Sequence, residues 1–485
     1  MIEISKTDML NRLEFDNPWW DSPEEPIAFQ SEPRRNYFRP FFDAVLDRTV
    51  RRAIVLMGPR RVGKTVMVYQ AVRGLIDNGI NPERILYLSL ETPIYTGLGL
   101  EQLLKLYMER NGLDKKSEIF VFFDEVQYLK NWEVHLKSLV DSFPAFKFAV
   151  TGSAAAALRL KSAESGAGRF SNYVLPPLSF AEYLSFIGRE DELITVKQIE
   201  DEEDPGEFSD MEYTCVDINS LNIEFVNYLN FGGYPEAVFS ERIRSNSAQF
   251  IKSDIIDKVL LRDLPSLYGI NDIQELNRLF TTLAYNTGNE VNLEGLSKSS
   301  GVAKNTIKRY LDYLEAAFLI KRVERIDHNA KKFQRAVTFK VYLTNPSMRA
   351  ALFGQVGPDD PAMGSLVETA IYSQWQHSKS ISLYYARWNK GEIDIVYMPD
   401  GTFKPGWAVE VKWTDKPFHS RSELSNCVEF AKNHPSLVQP ILITSRTVHQ
   451  KHIEHEGCIF DFFPASVYAY ILGANIFKDM AHVDV

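Results

Sequence analysis

The segment at residues 58–65, GPRRVGKT, constrains the fold of this chain more than any other part of the sequence. It has the spacing G-x-x-x-x-G-K-T, it follows the apolar run Ala53–Met57, and it opens a helical pattern. In such a loop the backbone N–H groups surround phosphate oxygens, and the helix N-terminus adds its partial positive charge. The segment therefore predicts a nucleotide-binding P-loop.

The runs around this loop predict an α/β domain. Residues 53–57, 85–89, 119–123 and 146–151 are short and apolar, and helical patterns separate them. They lack the polar alternation of a half-exposed strand, which is typical of parallel strands buried on both faces. We therefore expect a parallel sheet that carries the loop after one of its strands.

Two acidic residues, Asp124 and Glu125, follow the apolar run 119–123 and would lie beside the loop. Asp124 is expected to bind Mg²⁺ together with the Thr65 hydroxyl, and Glu125 to polarise the attacking water. Lys64 is expected to reach the β and γ phosphates. The pattern predicts that the chain binds ATP with Mg²⁺ and hydrolyses it.

A polar side chain at the end of the next run, Thr151 or Ser153, is expected to sense the γ phosphate. The full set of predicted ATP contacts is Gly58, Pro59, Arg60, Arg61, Val62, Gly63, Lys64, Thr65, Val66, Asp124 and Thr151.

The order of a lysine loop, an Asp-Glu pair and a polar strand end resembles the AAA+ ATPases. Many AAA+ proteins carry Asn at the sensing position, where this chain offers Thr151 or Ser153. The family places an arginine finger before its last strand and donates it to the neighbouring subunit. The resemblance implies this role for Arg169, and with it a homo-oligomer. A plain surface arginine is the alternative interpretation.

Further motifs resemble prokaryotic ATP-binding proteins of the DUF4143 type, which join an AAA+ domain to a C-terminal domain. The motifs stand at residues 168–170 (GRF), 175–184 (LPPLSFAEYL), 231–235 (FGGYP) and 261–264 (LRDL). This resemblance covers nearly the whole chain apart from the acidic stretch at 189–212.

Residues 291–311 have helix-turn-helix spacing. Gly301 supplies the turn, and Ile307 and Leu311 lie on the inner face of the second helix. The runs at 318–320 and 337–343 are expected to form the strands of a wing. The outer face of the second helix carries the predicted DNA contacts Lys304, Asn305, Lys308 and Arg309.

The charge around this segment favours DNA as a partner. The whole chain has a net charge of −10, which argues against nucleic acid, but residues 298–340 hold 11 basic and four acidic residues. A local patch matters more to a polyanion than the total charge, since phosphate contacts supply most non-specific affinity. A winged helix used only for packing is the alternative.

A second group of polar residues lies in the C-terminal part. Asp394 stands in the run GEIDIV, and Glu410 and Lys412 stand two apart in WAVEVK, so they share one face of a strand. A hairpin with its turn near residues 399–401 would bring Asp394 beside them. The pattern predicts two carboxylates for a hard cation and a lysine beside a reacting phosphate.

This pattern resembles the PD-(D/E)xK nuclease superfamily, with Ile393 in place of its Pro. The resemblance implies that Asp394 and Glu410 bind Mg²⁺ or Mn²⁺ and that Lys412 orients the attacking water. Glu368, in the helical pattern SLVETAIYSQW, would be the helical acid and a further ligand of the metal ion. The alternative is a structural Glu–Lys pair on an exposed strand.

With 485 residues the chain has room for about three domains of ordinary size. The predicted fold is an α/β multidomain chain with a P-loop AAA+ parallel sheet, a helical lid, a winged helix and a restriction-endonuclease-like α/β domain. The boundaries are an N-terminal segment at 1–50 with one helix, an ATPase core at 51–188, an acidic loop or linker at 189–212, the lid at 213–280, the winged helix at 281–345 and the nuclease-like domain at 346–485.

Three scattered cysteines match no metal or disulfide spacing, and neither a signal peptide nor a membrane span is expected, so we expect a cytoplasmic protein. The leading hypothesis is an ATP-dependent enzyme that binds DNA and cuts it, an architecture that would suit defence or mobile-element control. The competing hypothesis is an ATP-switched regulatory protein whose nuclease fold is inactive. A third, a remodelling ATPase that acts on protein, lacks an obvious pore-loop motif.

Overall fold

The computed structural model describes residues 5–95, 98–153, 168–200, 208–327, 330, 338–378, 381–388, 391–402, 404–435, 437 and 439–481. The chain divides into two compact units. The first comprises residues 1–176 with 266–269, and the second comprises residues 177–265 with 270–485. Each unit has its own sheet and its own site.

A five-stranded parallel sheet forms the centre of the first unit, as the apolar runs predict. Its order is β2-β3-β4-β1-β5, and every residue of β1, β3 and β4 is buried. The carboxyl ends of these strands therefore meet at one edge, where the P-loop follows β1. The strands are β1 (Ala53–Met57), β2 (Ile85–Ser89), β3 (Ile119–Asp124), β4 (Phe146–Gly152) and β5 (Phe170–Val174).

Helices pack on this sheet and connect its strands. The α-helices are Lys6–Asp16, Phe38–Leu46, Lys64–Asp77, Leu100–Asn111 and Trp132–Ser142, and the 3-10 turns are Pro18–Trp20, Pro82–Arg84, Pro93–Tyr95 and Val126–Tyr128.

The N-terminal segment has more structure than the single helix expected from its sequence, since it forms two helices and a 3-10 turn. It covers the open edge of β2. The Asn17 amide accepts from the Tyr87 N–H at 2.6 Å and donates to the Tyr87 carbonyl at 2.9 Å. The indole N–H groups of Trp19 and Trp20 donate to the Ile85 carbonyl. Backbone groups of an edge strand need partners, and this segment supplies them.

The second unit begins with helices that pack around a large apolar cluster. Phe180, Tyr183, Phe225 and Tyr228 are buried in it. The α-helices are Phe180–Phe186, Glu190–Leu193, Ile218–Phe231, Pro235–Phe239, Glu241–Arg244, Ser247–Phe250, Ile273–Tyr285, Leu293–Ser300, Lys304–Ala316, Ser347–Phe353, Met363–Gln374, Lys416–His419, Ser425–Asn433 and Ala465–Ala481. The stretches Ile251–Asp257 and Val259–Asp263 are π-helical, Leu264–Tyr268 is α-helical, and Trp375–His377 and Arg421–Leu424 are 3-10 turns.

The acidic stretch at 189–212 is not simply a loop, as its charge led us to expect. After the short helix Glu190–Leu193, β6 (Ile194–Glu200) pairs antiparallel with β7 (Phe208–Cys215). Ile194 and Tyr213 are buried against the apolar cluster, so apolar anchors at the base of the hairpin outweigh the repulsion among its acids.

One nine-stranded sheet runs through the rest of the second unit, in the order β15-β16-β14-β13-β12-β11-β9-β10-β8. Because β9 pairs with β11, the regions predicted as two domains, 281–345 and 346–485, share one sheet. The strands are β8 (Glu290–Asn292), β9 (Ile320–Ile326), β10 (Thr338–Leu343), β11 (Leu383–Arg387), β12 (Glu392–Tyr397), β13 (Trp407–Glu410), β14 (Ile441–Ser445), β15 (Lys451–His455) and β16 (Cys458–Pro464).

Within the residues that the structure describes, no helix combines the length and the apolar character needed to cross a membrane.

Candidate functional site

The loop after β1 has the backbone shape that its glycines predict. A Cβ on Gly58 would lie 2.2 Å from the Leu175 carbonyl oxygen, so only glycine fits there. Gly63 has φ 98°, which side chains disfavour, and it precedes the helix Lys64–Asp77. Val62 is buried, and Arg35 donates to its carbonyl at 2.8 Å. The loop is thus fixed from both sides, with Val66 in the first helical turn.

Lys64 points back over the loop. Its ammonium donates to the carbonyls of Gly58 at 3.1 Å and Pro59 at 2.7 Å, and the residue is 5% exposed. An ammonium in that position lies within reach of a phosphate held by the loop.

Asp124 at the end of β3 joins the strand ends to the loop. Its Oδ2 accepts from the Thr65 hydroxyl at 2.9 Å and from the Tyr87 hydroxyl at 3.1 Å, and its Oδ1 accepts from Thr151. Burial and the Glu125 carboxylate raise the pKa of Asp124, while these hydrogen bonds act to lower it. The adjacent Thr65 hydroxyl and Asp124 carboxylate are the oxygens that Mg²⁺ prefers, so the residues fit that ion.

Glu125 lies next to Asp124 in a left-handed backbone conformation, with φ 57°. Its carboxylate accepts a hydrogen bond from Gln127, and its N–H donates to Thr151 at 3.1 Å. The sequence predicts Thr151 or Ser153 as the sensor of the γ phosphate, and in the structure the Thr151 hydroxyl donates to Asp124. The Ser153 hydroxyl is buried with no hydrogen-bond partner among the described atoms, and its N–H donates to Gln127.

Arg169 lies at the other end of the sheet. Phe170 pairs with Ala53, the first residue of β1, whereas the P-loop follows the last. The Arg169 guanidinium donates to Asp141 at 3.2 Å, and its side chain is 45% exposed. Arg169 therefore cannot reach the nucleotide of its own loop.

The two helices predicted from residues 291–311 are present in the second unit. Leu293–Ser300 ends at Gly301, which has φ 75°, and Lys304–Ala316 follows. Ile307 and Leu311 are buried, as expected. The Lys304 ammonium nitrogen lies 3.7 Å from Glu294 Oε2, an oxygen on the first helix. The outer face is exposed over Lys304, Asn305, Lys308 and Arg309.

Strands β9 and β10 flank the predicted wing, whose basic residues at 331–335 lie outside the described residues. The order of elements is Ile273–Tyr285, β8, Leu293–Ser300, Lys304–Ala316, β9 and β10, with β10 between the other two strands.

The four residues predicted for the C-terminal site come together in the second unit. In the β12–β13 pair, Ile395 lies opposite Val409, which places Asp394 beside Glu410. Lys412 Nζ lies 2.6 Å from Glu410 Oε1 and 3.9 Å from Asp394 Oδ2. Glu368, on the helix Met363–Gln374, completes the group. We call this group the carboxylate cluster. It comprises Glu368, Asp394, Glu410 and Lys412 together with Lys340, Tyr342 and Glu392.

The sequence analysis missed a central member of the cluster, Lys340 on β10. Its ammonium lies 2.7 Å from Glu368 Oε1, 3.1 Å from Asp394 Oδ1 and 2.6 Å from Glu392 Oε1. Tyr342, two residues along the strand, donates to the same Glu368 oxygen at 2.5 Å. The signal was present in the sequence, since Lys340 is a lone charge in the apolar run TFKVYL.

Burial and charge set the ionisation of the cluster. Burial and Asp394 raise the pKa of Glu368 to about 7, despite Lys340 and Tyr342. Burial and Asp394 likewise raise the pKa of Glu410. Burial would also raise the pKa of Asp394, but Lys340 and Lys412 hold it below its ordinary value. Asp394 is thus the carboxylate that stays ionised most readily.

One oxygen of the cluster fits a metal ion directly. Glu410 is 9% exposed, and its Oε2 has no hydrogen-bond partner among the atoms that the structure describes. Within the described ranges, no three acidic, histidine or cysteine side chains converge as a ready-made metal site. A metal ion here would have the carboxylates of Asp394 and Glu410 as ligands, because the Glu368 carboxylate is already paired with Lys340. A cleft of about 490 Å³ opens onto Glu368, Asp394 and Lys412, and Trp413 and Arg446 also line it.

Comparisons with known proteins match parts of both units. A family described as an AAA domain matches residues 50–184, and a domain of unknown function (DUF8612) matches residues 222–359. An uncharacterized protein of Haemophilus influenzae is 26% identical over 62% of this chain and 70% of its own length. An uncharacterized protein of Methanocaldococcus jannaschii is 25% identical over 68% of each chain.

Two solved structures resemble parts of the chain at low scores. The Aeropyrum pernix ORC1 protein in complex with DNA has a TM-score of 0.31 and 13% identity, over 69% of this chain and 95% of its own. AMPPCP-bound DnaA from Aquifex aeolicus has a TM-score of 0.29 and 12% identity, over 62% and 92%. Neither likeness carries a ligand over to this chain. The AAA match and the P-loop geometry together show that residues 50–184 form a nucleotide-binding domain of the AAA ATPase type.

Proposed function

We propose that this chain is an ATP-hydrolysing AAA protein that binds DNA and cuts it at the carboxylate cluster with a divalent metal ion. One observation carries the second half of the proposal. Asp394 and Glu410, on the neighbouring strands β12 and β13, meet Lys412 and the helical Glu368, as in the nuclease superfamily that their sequence resembles. The open cleft above them leaves room for a phosphodiester.

Each residue of the nucleotide site has a distinct role in this proposal. The P-loop backbone and Lys64 hold the phosphates, and Thr65 with Asp124 holds Mg²⁺. Glu125 positions the attacking water, and Gln127 holds its carboxylate by a hydrogen bond. A Mg²⁺ ion held by Thr65 and Asp124 would supply positive charge against the phosphates.

At the carboxylate cluster, Asp394 and Glu410 are the proposed metal ligands. The ion would polarise the phosphate and favour deprotonation of a water molecule. Lys412 Nζ lies 2.6 Å from Glu410 Oε1, so its ammonium would lie close to a metal ion held by Glu410 and could hold the attacking water by a hydrogen bond. Glu368 orients this arrangement from the helix.

DNA would reach the cluster through the segment at 273–343. Its order of one helix, one strand, two helices and two strands is that of a winged helix, and we propose this role for it. Lys304, Asn305, Lys308 and Arg309 face solvent together, as contacts in a major groove require. Because β10 also carries Lys340, the proposed DNA module and the cluster share one strand.

A second candidate function is an ATP-switched binding protein that cuts no DNA. The Lys340 ammonium favours it, since it already pairs with Asp394, one of the two proposed metal ligands, and with the neighbouring Glu368. Cleavage assays distinguish the two functions.

The nuclease proposal predicts that linear and circular DNA are cut in the presence of Mn²⁺ or Mg²⁺. Asp394→Asn and Glu410→Gln should each reduce the rate by about a hundredfold or more, because metal-ion catalysis supplies several kcal/mol. Glu429→Gln removes an exposed carboxylate of the same unit and should cut at the wild-type rate. Equal cleavage by Asp394→Asn and wild type would place the chemistry elsewhere. The absence of cleavage in every protein would favour the second candidate.

The position of Arg169 predicts hydrolysis in trans. Arg169→Ala should bind ATP normally but turn it over about a thousandfold more slowly, since an arginine finger stabilises transition-state charge. Asp141→Ala removes only the salt-bridge partner and should retain turnover. Mixing Arg169→Ala with Lys64→Ala should restore part of the activity, because an intact loop then meets an intact arginine in some oligomers. Turnover that stays at the wild-type rate in Arg169→Ala, or no recovery on mixing, would refute this role.

The exposed basic helix predicts a measurable salt dependence. Lys308→Glu should weaken DNA binding, and the slope of affinity against salt should fall by about one for each phosphate that the protein no longer neutralises. Lys432→Glu makes the same change in net charge on a different exposed helix and should leave the slope unchanged. If both variants bind alike in a fluorescence anisotropy titration, the helix serves packing and not DNA.

A further inference from the structure

Lys340 carries a positive charge in the protein interior, where the loss of hydration makes a charged side chain energetically unfavourable. It is 2% exposed, and its ammonium contacts three carboxylates from the helix Met363–Gln374 and from β12. A buried ammonium is stable only when it is paired in this way. The ammonium is thus held by carboxylates from two elements, and its charge belongs to the site before any metal ion binds.

The ammonium divides the oxygens of the cluster into two sets. Glu368 Oε1 and Asp394 Oδ1 face Lys340, and Tyr342 also holds the Glu368 oxygen. Asp394 Oδ2 faces the other way, where it accepts from the Val411 N–H at 2.9 Å. Lys412 Nζ lies on this side, 3.9 Å from Asp394 Oδ2 and 2.6 Å from Glu410 Oε1. Glu410 Oε2 is buried and has no hydrogen-bond partner among the described atoms, so Lys340 does not hold it.

We propose that Lys340 is a fixed cation of the site, so that the cluster takes a single divalent metal ion, held by Asp394 and Glu410, and not a pair. This inference rests on the proposed metal-dependent function and specifies its metal count. Two-metal sites hold their ions about 3.5–4 Å apart, bridged by a shared carboxylate. The ammonium occupies the volume between Glu368 and Asp394 that the second ion of such a pair would need.

Glu368 thereby has a different partner from the one expected from the sequence. Its carboxylate balances Lys340 and positions the ammonium against Asp394, and it does not bind the metal ion itself. Lys340 is thus a positioning residue that fixes which Asp394 oxygen is left for the metal.

The test counts Mn²⁺ ions bound to the full-length, nucleotide-free protein by electron paramagnetic resonance of free Mn²⁺. Asp394→Asn gives the background of ions bound elsewhere. Above that background, wild type should bind a single Mn²⁺, and Lys340→Met should bind a second, since Glu368 and Asp394 are then free to hold it. Tyr342→Phe removes a hydrogen bond to the same Glu368 oxygen but keeps the ammonium, and it should bind a single ion.

Lys340→Met leaves three carboxylates without their ammonium, which destabilises the fold. A second variant is therefore measured beside it. Lys340→Met with Glu392→Gln removes one of these charges, keeps Glu368 and Asp394, and carries the same expectation. Circular dichroism of each variant checks that it is folded.

The outcomes separate this inference from the function on which it rests. A single ion in wild type and in both Lys340 variants overturns the fixed-cation role and leaves the metal site standing. Two ions in wild type, or a second ion in Tyr342→Phe, overturn it in the same way. If wild type binds no more Mn²⁺ than Asp394→Asn, the inference and the proposed metal-dependent function both fail.

Discussion

The buried ammonium of Lys340 is the interaction on which the second unit most depends. It joins the helix Met363–Gln374 to β10 and β12 through three carboxylates. Removing one partner of a buried ion pair costs about 3–5 kcal/mol, because the charge that stays behind has neither water nor a partner. The register of β10 is therefore constrained, and so is the orientation of Asp394 and Glu368. The nine-stranded sheet and the cluster depend on each other.

In the first unit, too, a buried charged side chain, that of Asp124, is held by polar partners from several segments. A carboxylate at the end of a buried strand is satisfied by hydroxyl groups from three segments, Thr65, Tyr87 and Thr151. These donors fix the carboxylate next to the P-loop without neutralising it. In both units a buried acid on a strand, Asp124 or Asp394, is oriented by partners before any ligand binds, which lowers the reorganisation needed on binding.

Local sequence patterns predicted the parallel sheet, the P-loop and the pairing of Asp394 with Glu410, because each rests on a short-range rule of strand alternation or loop spacing. They did not predict Lys340, Tyr87 or Gln127, whose roles arise from contacts between distant segments. The acidic hairpin was misjudged for a related reason, since its charge is local but its apolar anchors, Ile194 and Tyr213, pack against distant helices. Local patterns also did not predict that one sheet joins the two C-terminal regions, because the β9–β11 pairing connects segments about sixty residues apart in sequence.

The central claim is that one chain couples ATP turnover to DNA cleavage. The most direct measurement is the initial rate of DNA cleavage with Mn²⁺ in the presence of ATP, ADP or no nucleotide, for wild type and for Lys64→Ala. The account predicts that the rate of wild type changes about tenfold or more between ATP and no nucleotide, whereas Lys64→Ala cuts at one rate in all three conditions, because it cannot hold the phosphates. A wild-type rate that is identical with and without ATP, measured while ATP is being hydrolysed, would contradict the account.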